Sequence, residues 1–462
     1  MLIHMSLAHA LTLHAFVTAS ALLLYVVTSH AARQRRNPAA AISWILFILL
    51  LPYAALPLYL AFGTRKSLRG RLALPRPGAT TSGRWAVDAI LAVGQPVPAH
   101  YSDLRIHADG RQAQEALLEI IDGAQRSIDI CTFIIGRDSL GSAVMERLCA
   151  KSRSGVRVRL LLDGLGHLMA GRPDLSPLRE AGVACTLFMP PWRAMFRGRA
   201  NMRIHRKLLL ADSGLDAGRL WCGGRNLATE YFLGEPGAPA WRDLSFDLRG
   251  ALLAHASVLF ELDWGLATGA PPSAGRPPQA PGGAIGGAQL VASGADQPDD
   301  TVYSVLLAAA YRAEHRIALA TPYFVPDAAL LLALCMAARR GVKVDLLMPR
   351  RSNHALSDAV RGRSLRALTQ AGASVWLAPG MIHAKLVVID DALALAGSAN
   401  LDSRSLFLNY ELMVAFHAAQ DIQRFGHWFD AQRDAAHRFT PQAPGLLRDI
   451  VEGMLLWAAF QL

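Results

Sequence analysis

Two stretches of this 462-residue chain carry the same pattern, and that repetition constrains the fold more than any other feature. The first is His205-Arg206-Lys207-Leu-Leu-Leu-Ala-Asp212 and the second His383-Ala384-Lys385-Leu-Val-Val-Ile-Asp390. Each reads His-x-Lys, four residues, then Asp. Each is followed by a glycine turn ending in Asn, as Gly223-Gly-Arg-Asn226 and Gly397-Ser398-Ala-Asn400, and then by an acid, Asp243 or Glu411. Residues two apart on a strand share a face, so His205 projects with Lys207 and His383 with Lys385. The apolar run behind each pair anchors it in a core. The aspartates, five residues past each Lys, sit at an odd offset that turns them away from the pairs, which gives Asp212 and Asp390 a structural expectation.

The surroundings repeat as well. Ser127 to Phe133 and Arg316 to Pro322 read as strands, and Gly155 to Asp163 matches Gly341 to Pro349. Ala181 to Leu187 matches Ala371 to Leu377, and helical stretches at Gly141 to Ser152 and Ala328 to Arg340 precede some of these runs. Such apolar, β-branched runs are buried strands, and their alternation with helices predicts an α/β sandwich in each half. The expected division is 1–72, a membrane hairpin; 73–100, a linker; 101–266, the first half; 267–287, a Pro/Gly-rich linker; and 288–462, the second half with its tail. Two halves meeting face to face put two His, two Lys and two Asn around one anion, a constellation suited to a phosphoryl group.

Ser6 to Ser29 and Ala39 to Gly63 contain no Lys, Arg, Asp or Glu, and each is about as long as a bilayer-spanning helix. A signal peptide is the competing reading of the first, but no basic residue precedes it and a second apolar run follows. A buried core helix is the competing reading of the second, yet Pro52 and Pro57 fit a bilayer helix better. His9 and His14 read as helix-packing groups. The turn between the runs carries Arg33, Arg35 and Arg36, and the following flank carries Arg65, Lys66, Arg69 and Arg71, which slightly favours a cytoplasmic catalytic body. The net charge of +11 calls for an anionic partner, and the hairpin points to anionic lipid rather than nucleic acid. Trp192 to Arg203, mixing aromatics with Arg, reads as an interfacial flap or a solvated loop. The apolar tail Leu446 to Leu462 reads as membrane-resting or core-packing. The five cysteines form no CxxC pair and no zinc-spaced cluster, which fits buried free thiols, and no metal or other cofactor is expected.

The paired motifs resemble the HKD signature of the phospholipase D superfamily. The likeness extends to its cardiolipin synthases through Asn201 to Lys207, Thr321 to Pro326, Gly397 to Ser405 and the run Trp44 to Gly63. A departure is Ala228-Thr229-Glu230, where that family more often has an acidic pair. The resemblance implies a multi-pass protein of the bacterial inner membrane. It also implies phosphatidyl transfer between two phosphatidylglycerols through a phosphohistidine. It makes His205, Lys207, Asp212, His383, Lys385 and Asp390 the catalytic signature, with His205 the attacking residue and His383 the acid. Asn226, Asn400, Ser398, Asp243 and Glu411 form the substrate-binding and imidazole-orienting set. The competing functions are a phosphodiesterase with water as acceptor, acting on lipid or nucleic acid, and a non-catalytic scaffold. The membrane hairpin argues against a nuclease and the intact His and Lys pairs argue against a scaffold.

Overall fold

The computed structural model describes residues 7–31, 38–63, 66, 82–191, 200–235, 237–271, 287–297, 299–445, 450 and 452–455. The basic turn at 33–36, most of the flank after the hairpin, the flap at 192–199, the linker core at 272–286 and the tail after 455 lie outside them.

Two sheets carry the body. The first holds seven strands: β1 (Ser102–Ile106), β2 (Ser127–Thr132), β3 (Arg157–Asp163), β4 (Ala184–Phe188), β5 (Leu208–Ala211), β6 (Arg219–Gly223) and β7 (Ser245–Arg249). The second holds eight: β8 (Ala288–Ser293), β9 (Arg316–Ala320), β10 (Lys343–Pro349), β11 (Ser374–Ala378), β12 (Leu386–Ile389), β13 (Leu393–Gly397), β14 (Glu411–Phe416) and β15 (His437–Arg438). Their spatial orders are β1-β7-β6-β5-β2-β3-β4 and β8-β14-β13-β12-β9-β10-β11-β15. Adding seven to every strand of the first order gives the second, with β15 as an extra edge. The chain is therefore a duplicated α/β domain, with each sheet mixed rather than purely parallel: β2 runs parallel to β3 and antiparallel to β5, as β9 does to β10 and β12.

Alternation along the motif strands sorts side chains into layers. Leu208 and Leu210 of β5 join Leu386 and Val388 of β12 in one core between the sheets, together with helices Leu252–Thr268 and Ala419–Asp434. Leu209 and Ala211 face the outer helices of the first half, Gly110–Gly123 and Ser139–Arg153. Val387 and Ile389 face their counterparts Thr301–Arg312 and Ala328–Arg339 in the second. The shared core is what forces the halves face to face. Four of the five free cysteines are buried and Cys185 is partly so.

Asp212 and Asp390 end the motif strands at positive φ, 50° and 45°. The Asp212 carboxylate accepts the backbone N–H groups of Gln125, Arg126 and Ser127 at 2.7–2.8 Å. That of Asp390 accepts those of Glu314, His315 and Arg316 at 2.6–2.9 Å. Each aspartate thus pins the end of its motif strand to the start of the neighbouring strand, so both stand apart from the His/Lys pairs despite belonging to the signature.

At the N-terminus, α1 (Leu7–Ala31) is long and apolar enough to cross a membrane, with Leu11–Ser29 as the candidate span. The second run is not one helix. It divides into α2 (Pro38–Leu50) and α3 (Pro52–Phe62), because Pro52 brings no N–H to the ladder and pushes Leu51 out of helical geometry, to φ −138°. The three helices pack through Ala21, Tyr25, Ile48, Ala55 and Tyr59, and the Thr28 and Tyr59 hydroxyls meet at 2.6 Å. His14 packs against Tyr53. In the tail, Glu452 is buried and accepts from Arg366 at 2.6 Å, so its described part lies on the body.

Each Asp212 bond joins a charge to a backbone donor, so Asp212→Ala is expected to cost about 2–3 kcal/mol of stability. Turnover per folded molecule should be unchanged. Thermal unfolding alongside active-site-normalised kinetics checks both.

Candidate active site

The two His-Lys segments enter their strands from loops that pair across the halves. Tyr410, just before Glu411, bonds to the first-half loop through its N–H to Arg203 O and its C=O from His205 N–H, both 2.8 Å. Arg242, just before Asp243, does the same to the second-half loop, with its N–H to Met381 O at 2.9 Å and its C=O from His383 N–H at 2.7 Å. These reciprocal bridges decide which acid meets which imidazole. His205 Nδ1 lies 2.9 and 3.0 Å from the two oxygens of Glu411, and His383 Nδ1 lies 2.7 Å from Asp243 Oδ2. Each half's carboxylate therefore orients the other half's histidine.

Close packing makes the exchange possible. A side chain on Gly223 would strike the Leu244 carbonyl and one on Gly397 the Leu412 carbonyl. Any Cβ at Gly224 would strike the Asp243 carboxylate, whereas its counterpart Ser398 donates to Glu411 Oε2 at 2.6 Å. Asn409 adds a longer bond to Glu411 Oε1, 3.3 Å.

With Nδ1–H given to a carboxylate, the lone pair of each imidazole sits on Nε2. The Lys385 ammonium sits against the His383 ring, 2.7 Å from Nδ1 and 2.9 Å from Nε2. In His205, Nε2 has no hydrogen-bond partner among the described residues, and this side chain is more open, 13% exposed against 5%. Lys207 donates to the His205 carbonyl at 2.7 Å, and Lys385 likewise donates to the His383 carbonyl. Burial lowers both imidazoles, and burial together with Lys385 takes His383 to about 3, so both are neutral in the resting site. Burial alone would raise Glu411 and Asp243, but the facing histidines and lysines hold both below the usual carboxylate range. Burial brings Lys207 down to about 8 and Lys385 to about 7, and each lysine feels the charge of both carboxylates. Asn226 donates to the Tyr231 hydroxyl at 2.8 Å, and the Oδ1 atoms of Asn226 and Asn400 are buried without a partner among the described residues. Among the described residues no group of three or more His, Cys, Asp or Glu is gathered to hold a metal ion.

Several neighbours carry no motif signal. Phe133 stands edge-on to His205 with ring centroids 5.4 Å apart, and Tyr231 edge-on to His383 at 4.9 Å. Arg206, between the first His and Lys, points the other way. It is fully buried, pairs with Asp263 and donates to the carbonyls of Glu411 and Ser293 at 3.1 and 3.2 Å. Only its strand parity, opposite to that of His205 and Lys207, hinted at this. In the second half that position is Ala384, also buried. At the departure Ala228-Thr229-Glu230, the Thr229 N–H is accepted by Asp138 at 2.9 Å, so a carboxylate from another element serves that turn. The equivalent turn uses its own Asp402, which accepts from Ser405 N–H at 2.8 Å. The Glu230 side chain is half-buried and its carbonyl accepts from Trp241 N–H.

The family model "Cardiolipin synthase, PLD-like domain" matches residues 117–235 and 306–433, one match per half. The chain belongs to the cardiolipin synthase family of phospholipase D-like proteins. A second model, "Phospholipase_D-nuclease N-terminal", matches residues 19–63 of the hairpin. Cardiolipin synthase 1 of Bacillus anthracis is 31% identical, over 84% of this chain and 82% of its own length. Cardiolipin synthase A of Pseudomonas putida is 30% identical, over 85% and 86%. The fold is shared with a phosphatidylserine synthase of Haemophilus influenzae, which superposes with a TM-score of 0.60 at 14% identity and covers 79% of this chain and 97% of that one. As a member of this family the chain is a phosphatidyltransferase-type enzyme, and its apolar N-terminal helix associates it with the membrane.

The depressed lysines give a paired pH signature. They lose their protons as pH rises through about 7 to 8, and with them their hold on an anionic phosphodiester. In the unfolded chain the same lysines stay protonated to about 10.4. Over the interval between, the unfolded state binds more protons and stability rises with pH. Activity (kcat/KM) should therefore fall through this window while the contribution of these groups to stability grows. The permanently charged Lys385→Arg variant should move the activity decline upward. Kinetic and unfolding profiles measured on the same samples check it.

Proposed function

We propose that the protein makes cardiolipin from two phosphatidylglycerol molecules. The observation that carries this reading is the open Nε2 lone pair of His205, facing a site that a second, carboxylate-held histidine and two lysines share. His205 Nε2 attacks the phosphorus of the first phosphatidylglycerol, a phosphorus–nitrogen bond forms, and the bond to the glycerol oxygen breaks. His383 gives that oxygen its proton, so free glycerol departs. The resting His383 is neutral, and the bound anionic phosphodiester favours its protonated form. In the second step neutral His383 takes the proton of a hydroxyl on the second phosphatidylglycerol. That oxygen attacks the phosphorus, releasing cardiolipin and restoring His205. Lys207 and Lys385 balance charge on the phosphoryl oxygens, with amide donors from Asn226 and Asn400. Glu411 and Asp243 hold the imidazoles in the required tautomer, as acids partnering catalytic histidines do elsewhere.

A multi-pass topology, with α2 and α3 as a second, kinked crossing after α1, is the reading that the apolar hairpin supports. The Arg and Lys residues of the turn and flank, read from the sequence, favour a cytoplasmic body. One observation favours a second reading in which the histidines exchange roles: His383 is the more strongly held in the neutral, nucleophilic form, at about 3. Against it, His383 is the less exposed of the two, with the Lys385 ammonium packed against its ring.

Purified protein given phosphatidylglycerol alone is expected to yield cardiolipin and glycerol in equal amounts. Phosphatidic acid as the main product would establish water as the acceptor instead. The same assay should survive strong chelation once the effects of divalent ions on the lipid surface are matched. An absolute requirement for one stoichiometrically bound metal would contradict the assignment of phosphoryl charge to Lys207 and Lys385.

A further inference from the structure

The last turn of a helix leaves carbonyls without intrahelical partners. At the end of α3 one of them, Ala61 O, accepts the N–H of Ala200 at 3.1 Å, five residues before His205. Just beyond α3, Lys66 is buried, forms an ion pair with Asp300 at 2.8 Å and donates to Gly294 O at 3.2 Å. Gly294 lies against the Tyr410 ring, where an added Cβ would come within 3.0 Å. Tyr410 is the residue whose backbone brackets Arg203 and His205 and precedes Glu411. The exit of the membrane hairpin thus grips both sides of one seam: the loop entering His205 from the first half, and the loop backing Tyr410 from the second.

The duplication supplies an internal control. Asp109 and Asp300 hold equivalent places, each at the N-cap of the helix before the second strand of its half, β2 and β9. Asp109 caps its helix by accepting from Gln112 N–H at 2.9 Å. Asp300 makes no side-chain cap to its helix, and its carboxylate is turned to Lys66. A capping side chain stabilises its helix, so the second half forgoes a local stabilisation that the first half keeps.

We infer that Lys66 and Asp300 form a latch that docks the membrane hairpin onto the His205–Glu411 seam, making the hairpin part of the active-site frame as well as a tether. Lys66 is then a positioning residue, acting through Gly294 and Tyr410 on the loop that carries His205. On the phosphatidyl-transfer reading, on which this inference rests, the latch sets the attacking histidine beside the point where the chain leaves the bilayer. The diacylglycerol end of the donor therefore reaches His205 without leaving the membrane.

The test uses the full-length protein as wild type, Lys66→Glu, Asp300→Lys and the charge-exchanged double variant. All four should stay in the membrane after alkaline washing, because the hairpin is intact. Each single variant is expected to lose about tenfold or more in kcat, the kind of loss that a displaced attacking group brings. The loss should be as large on phosphatidylglycerol dispersed in detergent as on vesicles. The double variant should recover to within about threefold of wild type, the coupling expected of residues in contact. Amide exchange, which needs no turnover, should quicken in segments 200–205 and 294–297 of the single variants and slow again in the double. Exchange and activity unchanged in the singles, or losses that the charge exchange does not recover, would overturn the latch. A wild type that makes no cardiolipin would instead overturn the transfer reading, and the exchange data would still decide the latch.

Discussion

The structure depends on a reciprocal exchange across its internal seam: Glu411 of the second half holds His205 of the first, and Asp243 of the first holds His383 of the second. All four side chains are mostly or wholly buried, and a buried charge is tolerable only when it is paired and hydrogen-bonded. Neither half satisfies this alone. Separating them would take from each carboxylate its histidine and from each lysine the other half's carboxylate, the stronger of the two it feels. Breaking one buried pair typically costs about 3–5 kcal/mol, so the seam is also a strong reason for the halves to stay together. The shared core of Leu208, Leu210, Leu386 and Val388 supplies apolar burial, and the exchanged acids supply register.

Duplication supplies the symmetry, and a few substitutions break it. Arg206 reaches through the seam to the carbonyl of Glu411, while Ala384 fills the matching place with a methyl group. Arg225 is buried and bonded to Ser245 at 2.8 Å where the second half has Ala399. Asp300 leaves its helix for Lys66 where Asp109 stays on its own. The His205 side is thus braced by an extra guanidinium and by the membrane hairpin. The His383 side is packed by Tyr231 and Trp241. Two imidazoles that look interchangeable in sequence occupy different surroundings, which suits the proposed division into one nucleophile and one proton carrier.

Much of this was legible from the chain. The strand pattern around Ser127, Gly155, Arg316 and Gly341 gave the two sheets, because a buried strand must be an apolar run and little else. The fixed order of His, Lys, Asn and acid in both halves gave the site. The offset of Asp212 and Asp390 already separated them from the pairs, and the structure shows the backbone donors they serve instead. Which acid meets which histidine was not legible, since it is settled by loop bridges at Tyr410 and Arg242 that have no sequence signature. The break at Leu51 was not foreseen either: Pro52 was read as tolerated within one helix, and its missing N–H divides the run in two. The turn of Asp300 toward Lys66 depends on a contact between residues 234 positions apart, which no local pattern encodes.

The central claim is that one site, shared by both halves, works through attack by His205 and proton transfer by His383. A phosphatidyl ester of nitrophenol, whose leaving group needs little acid help, separates the two roles. With His383→Ala the account predicts a burst of nitrophenol and an acid-labile phosphatidyl adduct on His205, since the second step lacks its base. With His205→Ala it predicts neither burst nor adduct. An adduct on His383 in the His205→Ala protein, or ordinary turnover in both variants, would contradict it.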